Sequence, residues 1–207
     1  MLLRNYDNFM TLISLGNLTG VDAGDKTSFD DEHLCIKGWN SNTLYTVRIN
    51  TSNGTFSPFQ MFSYSTGSGS AVFYSGPTNC STLVAGSGDT PVTYDDNDLA
   101  NVFTPSQVQK ISCSAGDAIY NPTDKTWEKT HTCTCLAKED LIIREVGVTH
   151  SFYCTYNSVT IALVYRKVLD TPIEVPVNAN FVLSFTTKVS ANPNKPADYD
   201  ANAVLVE

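Results

Sequence analysis

The second half of the chain alternates apolar and polar residues with a period of two. Trp127, His131, Cys133 and Cys135 share one side of a segment whose other side carries Glu128, Thr130, Thr132 and Thr134. Ile111, Cys113 and Ala115 alternate, Leu141 to Val148 is rich in β-formers, and Val159, Ile161, Leu163 and Tyr165 form a further set. Phe181, Leu183, Phe185 and Val189 repeat the pattern. Such a period puts one face of each strand on a core and the other towards solvent. Pro172 and Pro176 are expected to punctuate the connection between the last two strands, where a backbone donor can be spared. Several strands of this kind, separated by polar turns, predict an all-β, antiparallel β-sandwich rather than alternating β and α units.

The first half is patterned differently. Leu2, Tyr6, Phe9 and Ile13 fall at helical spacing, and Gly16 with Asn17 supplies a stop. The N-terminal residues 1–16 are therefore expected to form a short amphipathic helix. Alone it would be marginal, so it has to dock on its own domain or on a neighbour. Asn17 to His33 reads as loop, and Leu44 to Ile49 as a short strand. From about residue 50 to 106 a polar, aromatic-rich insertion is expected. No Lys or Arg occurs between Arg48 and Lys110, and Phe56, Phe59, Phe62, Tyr64, Phe73 and Tyr74 sit among Ser, Thr and Gly. Its aromatics either form an adaptable contact surface or face a core of their own. After Ser190, residues 191–207 contain Pro193 and Pro196 and end in the apolar run Ala203 to Val206, which predicts an extended C-terminal arm or an added edge strand.

Composition narrows the class. The 207 residues are 42% hydrophobic and only 16% charged, with Ser, Thr, Asn and Gly making up the difference. That balance folds, since disorder needs few apolar residues and high charge. It also suits surfaces that other subunits cover. A net charge of −8 repels phosphate and argues against binding nucleic acid. No stretch of about 18 apolar residues is present to span a membrane, and Arg4, Asn5, Asp7 and Asn8 break the N-terminal apolar run that a signal peptide would need.

Candidate chemistry is sparse. No Gly-x-Ser-x-Gly elbow, phosphate-binding glycine loop or His-Glu-x-x-His occurs, and His33, His131 and His150 are scattered, so no catalytic residues and no cofactor are expected. His131, Cys133 and Cys135 are the best metal candidates, with Cys113 or Cys154 as a fourth ligand. Alternate strand positions lie roughly 6.6 Å apart, a poor match to tetrahedral zinc. The six cysteines (Cys35, Cys80, Cys113, Cys133, Cys135 and Cys154) are expected to be reduced and packed as small hydrophobes. The acidic run Asp95, Asp96, Asn97, Asp98 lacks the Gly and distal Glu of an EF-hand, and Asp98 is expected to cap a helical turn. The triplets beginning at Asn17, Asn53 and Asn79 match glycosylation sequons, which matter only in a secreted chain.

Several stretches resemble one family. Gly86 to Leu99 (GSGDTPVTYDDNDL), Ile142 to Val148 (IIREVGV), Leu163 to Pro176 (LVYRKVLDTPIEVP) and Phe181 to Phe185 are similar, in the same order, to segments of tailed-bacteriophage virion structural proteins. The opening Met1 to Phe9 resembles the start of such proteins, those of crAss-like short-tailed phages among them. Val148 stands where Leu is commoner, and Val177-Asn178 where Ala-Gly is usual. The resemblance covers about half the chain and implies a β-sandwich located in the virion, as a ring-forming neck or tail connector subunit or a capsid accessory protein. It implies a homo-oligomer whose partners are other virion proteins (portal, adaptor, tail or capsid). The interface candidates are Tyr6 and Phe9 on the helix, Phe56, Phe59 and Phe62 in the insertion, and Val204 and Val206 in the arm. A reading of a different class is a receptor- or glycan-binding module that uses the aromatic insertion.

Overall fold

The computed structural model describes residues 1–14, 36–39, 44–45, 81–153, 159–190 and 198–206. One helix opens the chain, α1 (Arg4–Ser14). The strands that follow are β1 (Ile36–Lys37), β2 (Leu44–Tyr45), β3 (Ser81–Gly86), β4 (Val108–Ala115), β5 (Ile119–Asn121), β6 (Thr126–Ala137), β7 (Leu141–Tyr153), β8 (Val159–Val175), β9 (Asn180–Ser190) and β10 (Asp198–Val206). All their pairings are antiparallel. The fold is all-β with one short N-terminal helix and a sandwich-like core. None of the described helices is long and apolar enough to cross a membrane.

Two sheets carry the fold. The first runs in the order β10-β9-β6-β4, with β5 pairing on β6 beyond the end of β4; the second runs β3-β7-β8. Between them lie Cys133 and Cys135 from β6, Val146 and Val148 from β7, Val164 and Tyr165 from β8, and Phe181, Leu183 and Phe185 from β9. A register shift at Val164 breaks the alternation predicted for β8, so Leu163 faces the opposite side from Tyr165. The Tyr165 ring meets Phe185 nearly edge-on, 5.6 Å between centroids. Burying each large side chain is worth roughly 1.5–3 kcal/mol.

The opposite face of the second sheet is covered as well. Leu163 and Val84 form a second buried cluster with Leu3 and Leu99, supplied by the N-terminus and by residues 87–103. The helix docks on its own domain. Asn5, fully buried, donates to the carbonyls of Leu163 (2.9 Å) and Lys37 (3.1 Å) and accepts from the Lys37 amide (2.8 Å). Gly147 on β7 makes room for this layer: a Cβ there would lie 2.9 Å from Leu163 Cδ1 and 3.1 Å from Leu99 Cδ2.

Several expectations require correction. Ser81–Gly86, assigned to the insertion, is a full strand paired with β7, so the sheet reclaims the end of that segment. Pro172 lies inside β8, not in a connection. It falls where β8 carries four residues, 169–172, against Arg144 alone on β7, a register shift that needs no donor from the proline. No helical turn follows Asp98. Ile111 does not share a face with Cys113: a bulge between Lys110 and Ser112 turns it outward, and it is 52% exposed. Trp127 lies on the predicted face of β6 but beyond the end of the core, and is 53% exposed.

The turn between β8 and β9 accounts for one departure from the family pattern. Asn178 adopts φ 66°, a left-handed conformation that Asn tolerates better than most residues other than Gly. Its amide donates to the Ala137 carbonyl (2.8 Å), and that of Val177 to the Asp140 carboxylate (2.8 Å).

Candidate functional site: a clamped cover and two open sheet borders

Three of the family-like stretches converge on one buried centre. Glu145 of β7 and Arg166 of β8 face away from the core, which alternation alone would assign to solvent. Residues 87–103 cross over them, leaving Glu145 fully buried and Arg166 2% exposed. The two side chains pair at 2.8–2.9 Å. Glu145 also accepts the backbone amides of Gly88 (3.2 Å), Ala100 (3.1 Å) and Asn101 (2.8 Å). Arg166 donates to Asp96 (2.6 Å) and to both the carbonyl and hydroxyl of Thr90 (3.1 Å each).

Burial works against the Arg166 charge, but the hydrogen bonds it donates to Asp96 and Glu145 outweigh it and raise its pKa above the usual value. Gly88 lies so close to the Glu145 carboxylate and Ala100 that a side chain there would collide with both. The centre fastens the covering segment at both ends. Around it, Asp95 pairs with Arg4 (2.6 Å), whose guanidinium stands 5.1 Å from the Tyr94 ring centroid, and the Tyr94 hydroxyl donates to Asp7 (2.8 Å). Asp95 and Asp96 of the acidic run are thus engaged with arginines.

Other backbone bonds close part of each border of the second sheet. Beside β8, Leu3 donates to the Val164 carbonyl (3.1 Å), Arg166 to the Met1 carbonyl (3.1 Å) and Trp39 to the Ile161 carbonyl (2.7 Å). At the end of β3, Phe103 donates to the Ala85 carbonyl (3.0 Å), next to the Gly86–Val102 bridge. The first sheet is different. Among the described residues no strand or loop pairs with the outer border of β10 or of β4. Val204 and Val206, two of the predicted interface residues, are 58% and 45% exposed on β10.

The other interface candidates fare variously. Tyr6 is buried against the chain's own core and is not a free contact residue, because the helix docks inward. The Phe9 side chain, Phe56, Phe59, Phe62 and the rest of the aromatic stretch before Ser81 lie outside the described residues, as do Gly16, Asn17 and most of the Leu44 to Ile49 strand. An aromatic pair not singled out as a site is exposed: Tyr120 and Trp127, opposite each other on β5 and β6, with ring centroids 5.4 Å apart.

His131, Cys133 and Cys135 do line one buried face of β6, but they do not form a ligand set. Cys133 is disulfide-bonded to Cys113, directly opposite on β4 with Cα atoms 4.1 Å apart, which corrects the expectation of reduced thiols for this pair. The separation is close to the short spacing of non-hydrogen-bonded antiparallel pairs, which positions two sulfurs to meet. The bond takes the Cys133 thiolate, and among the described residues no three His, Cys, Asp or Glu side chains are grouped to hold a metal. Cys135 remains free and buried, and burial pushes its thiol up to about 12. It should resist alkylation in the folded protein and label only on unfolding, read by mass spectrometry of the modified peptide.

Burial, aided by the Lys129 charge, lowers the His131 pKa from 6.5 to about 4. The neutral ring is therefore favoured in the folded state. Its contribution is complete above pH 6.5 and lost as pH falls towards 4. The expected cost is about 2 kcal/mol once residual solvent contact is allowed for. Urea unfolding at pH 7 and pH 4.5 should show a smaller difference for His131→Phe than for the parent; an equal difference would reject this assignment.

No family model, curated protein or solved structure matches this chain.

Proposed function

We propose that the chain is a structural subunit of a tailed-bacteriophage particle, a ring-forming neck or tail connector protein that assembles through strand borders. The observation that carries the reading is the contrast between the two sheets. Among the described residues, one has part of each border, residues 161–166 of β8 and 85–86 of β3, paired with the chain's own backbone, while the other ends in β10 with Val204 and Val206 exposed. Unpaired borders are templates for strand addition, and monomeric proteins usually blunt them with charge, proline or a covering loop. The last four residues of β10, Ala-Val-Leu-Val, hold no such device. The family-like stretches support the same reading, since Gly88, Thr90, Asp96, Glu145 and Arg166 belong to one clamp and have a joint physical reason to occur together.

The reading assigns no catalytic role to any residue. A second reading, a glycan-binding module, has the exposed Tyr120–Trp127 pair in its favour, since sugar rings stack on such faces. Quantitative mass spectrometry of purified particles of the phage encoding this chain tests the first: about a dozen copies per particle indicate a neck ring, hundreds the capsid shell. Absence from the particle, together with binding on a glycan array, would replace it with the second.

A further inference from the structure

Resting on that assembly reading, we infer that copies of this chain join head to tail, the β10 border of one pairing with the β4 border of the next, so that the sheet β10-β9-β6-β4 continues from copy to copy. Two observations select this partner and this polarity.

The first is strand arithmetic. The sheet path contains four antiparallel strands, so β4 and β10 run in opposite directions. A neighbour related by rotation about a ring axis, and therefore equally oriented, presents its β4 antiparallel to β10. The alternation passes through the junction unbroken, and the rotation can close into a ring.

The second is the placement of exposed apolar side chains. Val204 of β10 lies in one cross-sheet row with Val182, Thr134 and Ser112, and Ile111 stands next to Ser112 at the bulge. Both borders thus present an exposed apolar residue at about the same level, Val204 at 58% and Ile111 at 52%. Continuation of the sheet brings the two within reach of one another. The row between them is hydroxyl and valine, with no ion to desolvate.

The test uses the full chain with p-benzoylphenylalanine at position 204. Irradiation is followed by separation of covalent dimers and mapping of the linked peptides. Adducts should fall within residues 108–115 of the second copy. Paired charge variants give an independent check. Val204→Lys and Ile111→Glu should each disperse the oligomer in mass photometry, while the double variant restores it, with circular dichroism confirming that each remains folded. Adducts within residues 198–206, or an Ile111→Glu variant that assembles normally, would mean a two-fold contact and overturn the inference. A parent protein that stays monomeric and forms no intermolecular adduct would overturn it too. None of these results depends on the census of virion proteins, so a chain that assembles by β10–β4 pairing yet is missing from particles would refute only the functional reading.

Discussion

Replacing Glu145 with Ala should destabilise the protein by about 3–5 kcal/mol, the cost of leaving a buried charge without its partner. The loss is larger than that of an ordinary ion pair would suggest, because the carboxylate also accepts three backbone amides. Each orphaned buried amide costs roughly 1–3 kcal/mol unless water reaches it. Arg166→Met should cost less. It strips bonds from Asp96 and Thr90 but leaves the carboxylate its amide donors.

The double variant, Glu145→Leu with Arg166→Met, distinguishes the clamp from a simple salt bridge. A buried pair replaced by apolar side chains is often tolerated. Here the amides of Gly88, Ala100 and Asn101 still lose their acceptor, so the double variant should remain nearly as unstable as Glu145→Ala. Urea unfolding of the four proteins decides it, and recovery of parental stability in the double variant would show that the amides do not depend on the carboxylate. Hydrogen exchange should localise the damage. In Glu145→Ala the amides of residues 87–103 should lose protection before those of β6 and β9.

Removing the disulfide between Cys113 and Cys133 should cost about 3 kcal/mol, given a sequence separation of 20 between its ends. The loss should appear as a lower thermal midpoint on adding dithiothreitol. The double variant Cys113→Ala/Cys133→Ala should start from that lower midpoint and respond little to the reductant. A parent protein whose midpoint is the same with and without reductant would mean that the bond contributes nothing to stability. Because the bond ties β4 to β6 at a sheet border, exchange should rise first along β4. That location ties the prediction to assembly: a loosened β4 is a poorer partner for a neighbouring β10, so reduction should also weaken the oligomer.

What the sequence by itself determined is the class of fold and the inward faces of β6 and β9. Side chains alternate across a strand with a period of two, so Phe181, Leu183 and Phe185, or Cys133 and Cys135, reveal their common direction from spacing alone. The short helix and the apolar final strand were legible for the same reason. Alternation does not say whether a given face is covered, because covering is a contact between segments distant in the chain. Glu145 and Arg166 read as solvent-facing polar positions, and became a buried ion pair only when residues 87–103 crossed over them. Their one local signal was charge inside otherwise apolar strands.

Trp127 errs in the other direction: it keeps the core-facing register on β6 but runs past the end of the core. The bulge at Lys110 to Ser112 inverted Ile111, and the pairing of Cys113 with Cys133 followed from a register that no single strand encodes. Tertiary structure alone decided these points, because each depends on the relative placement of two strands and not on the pattern within either.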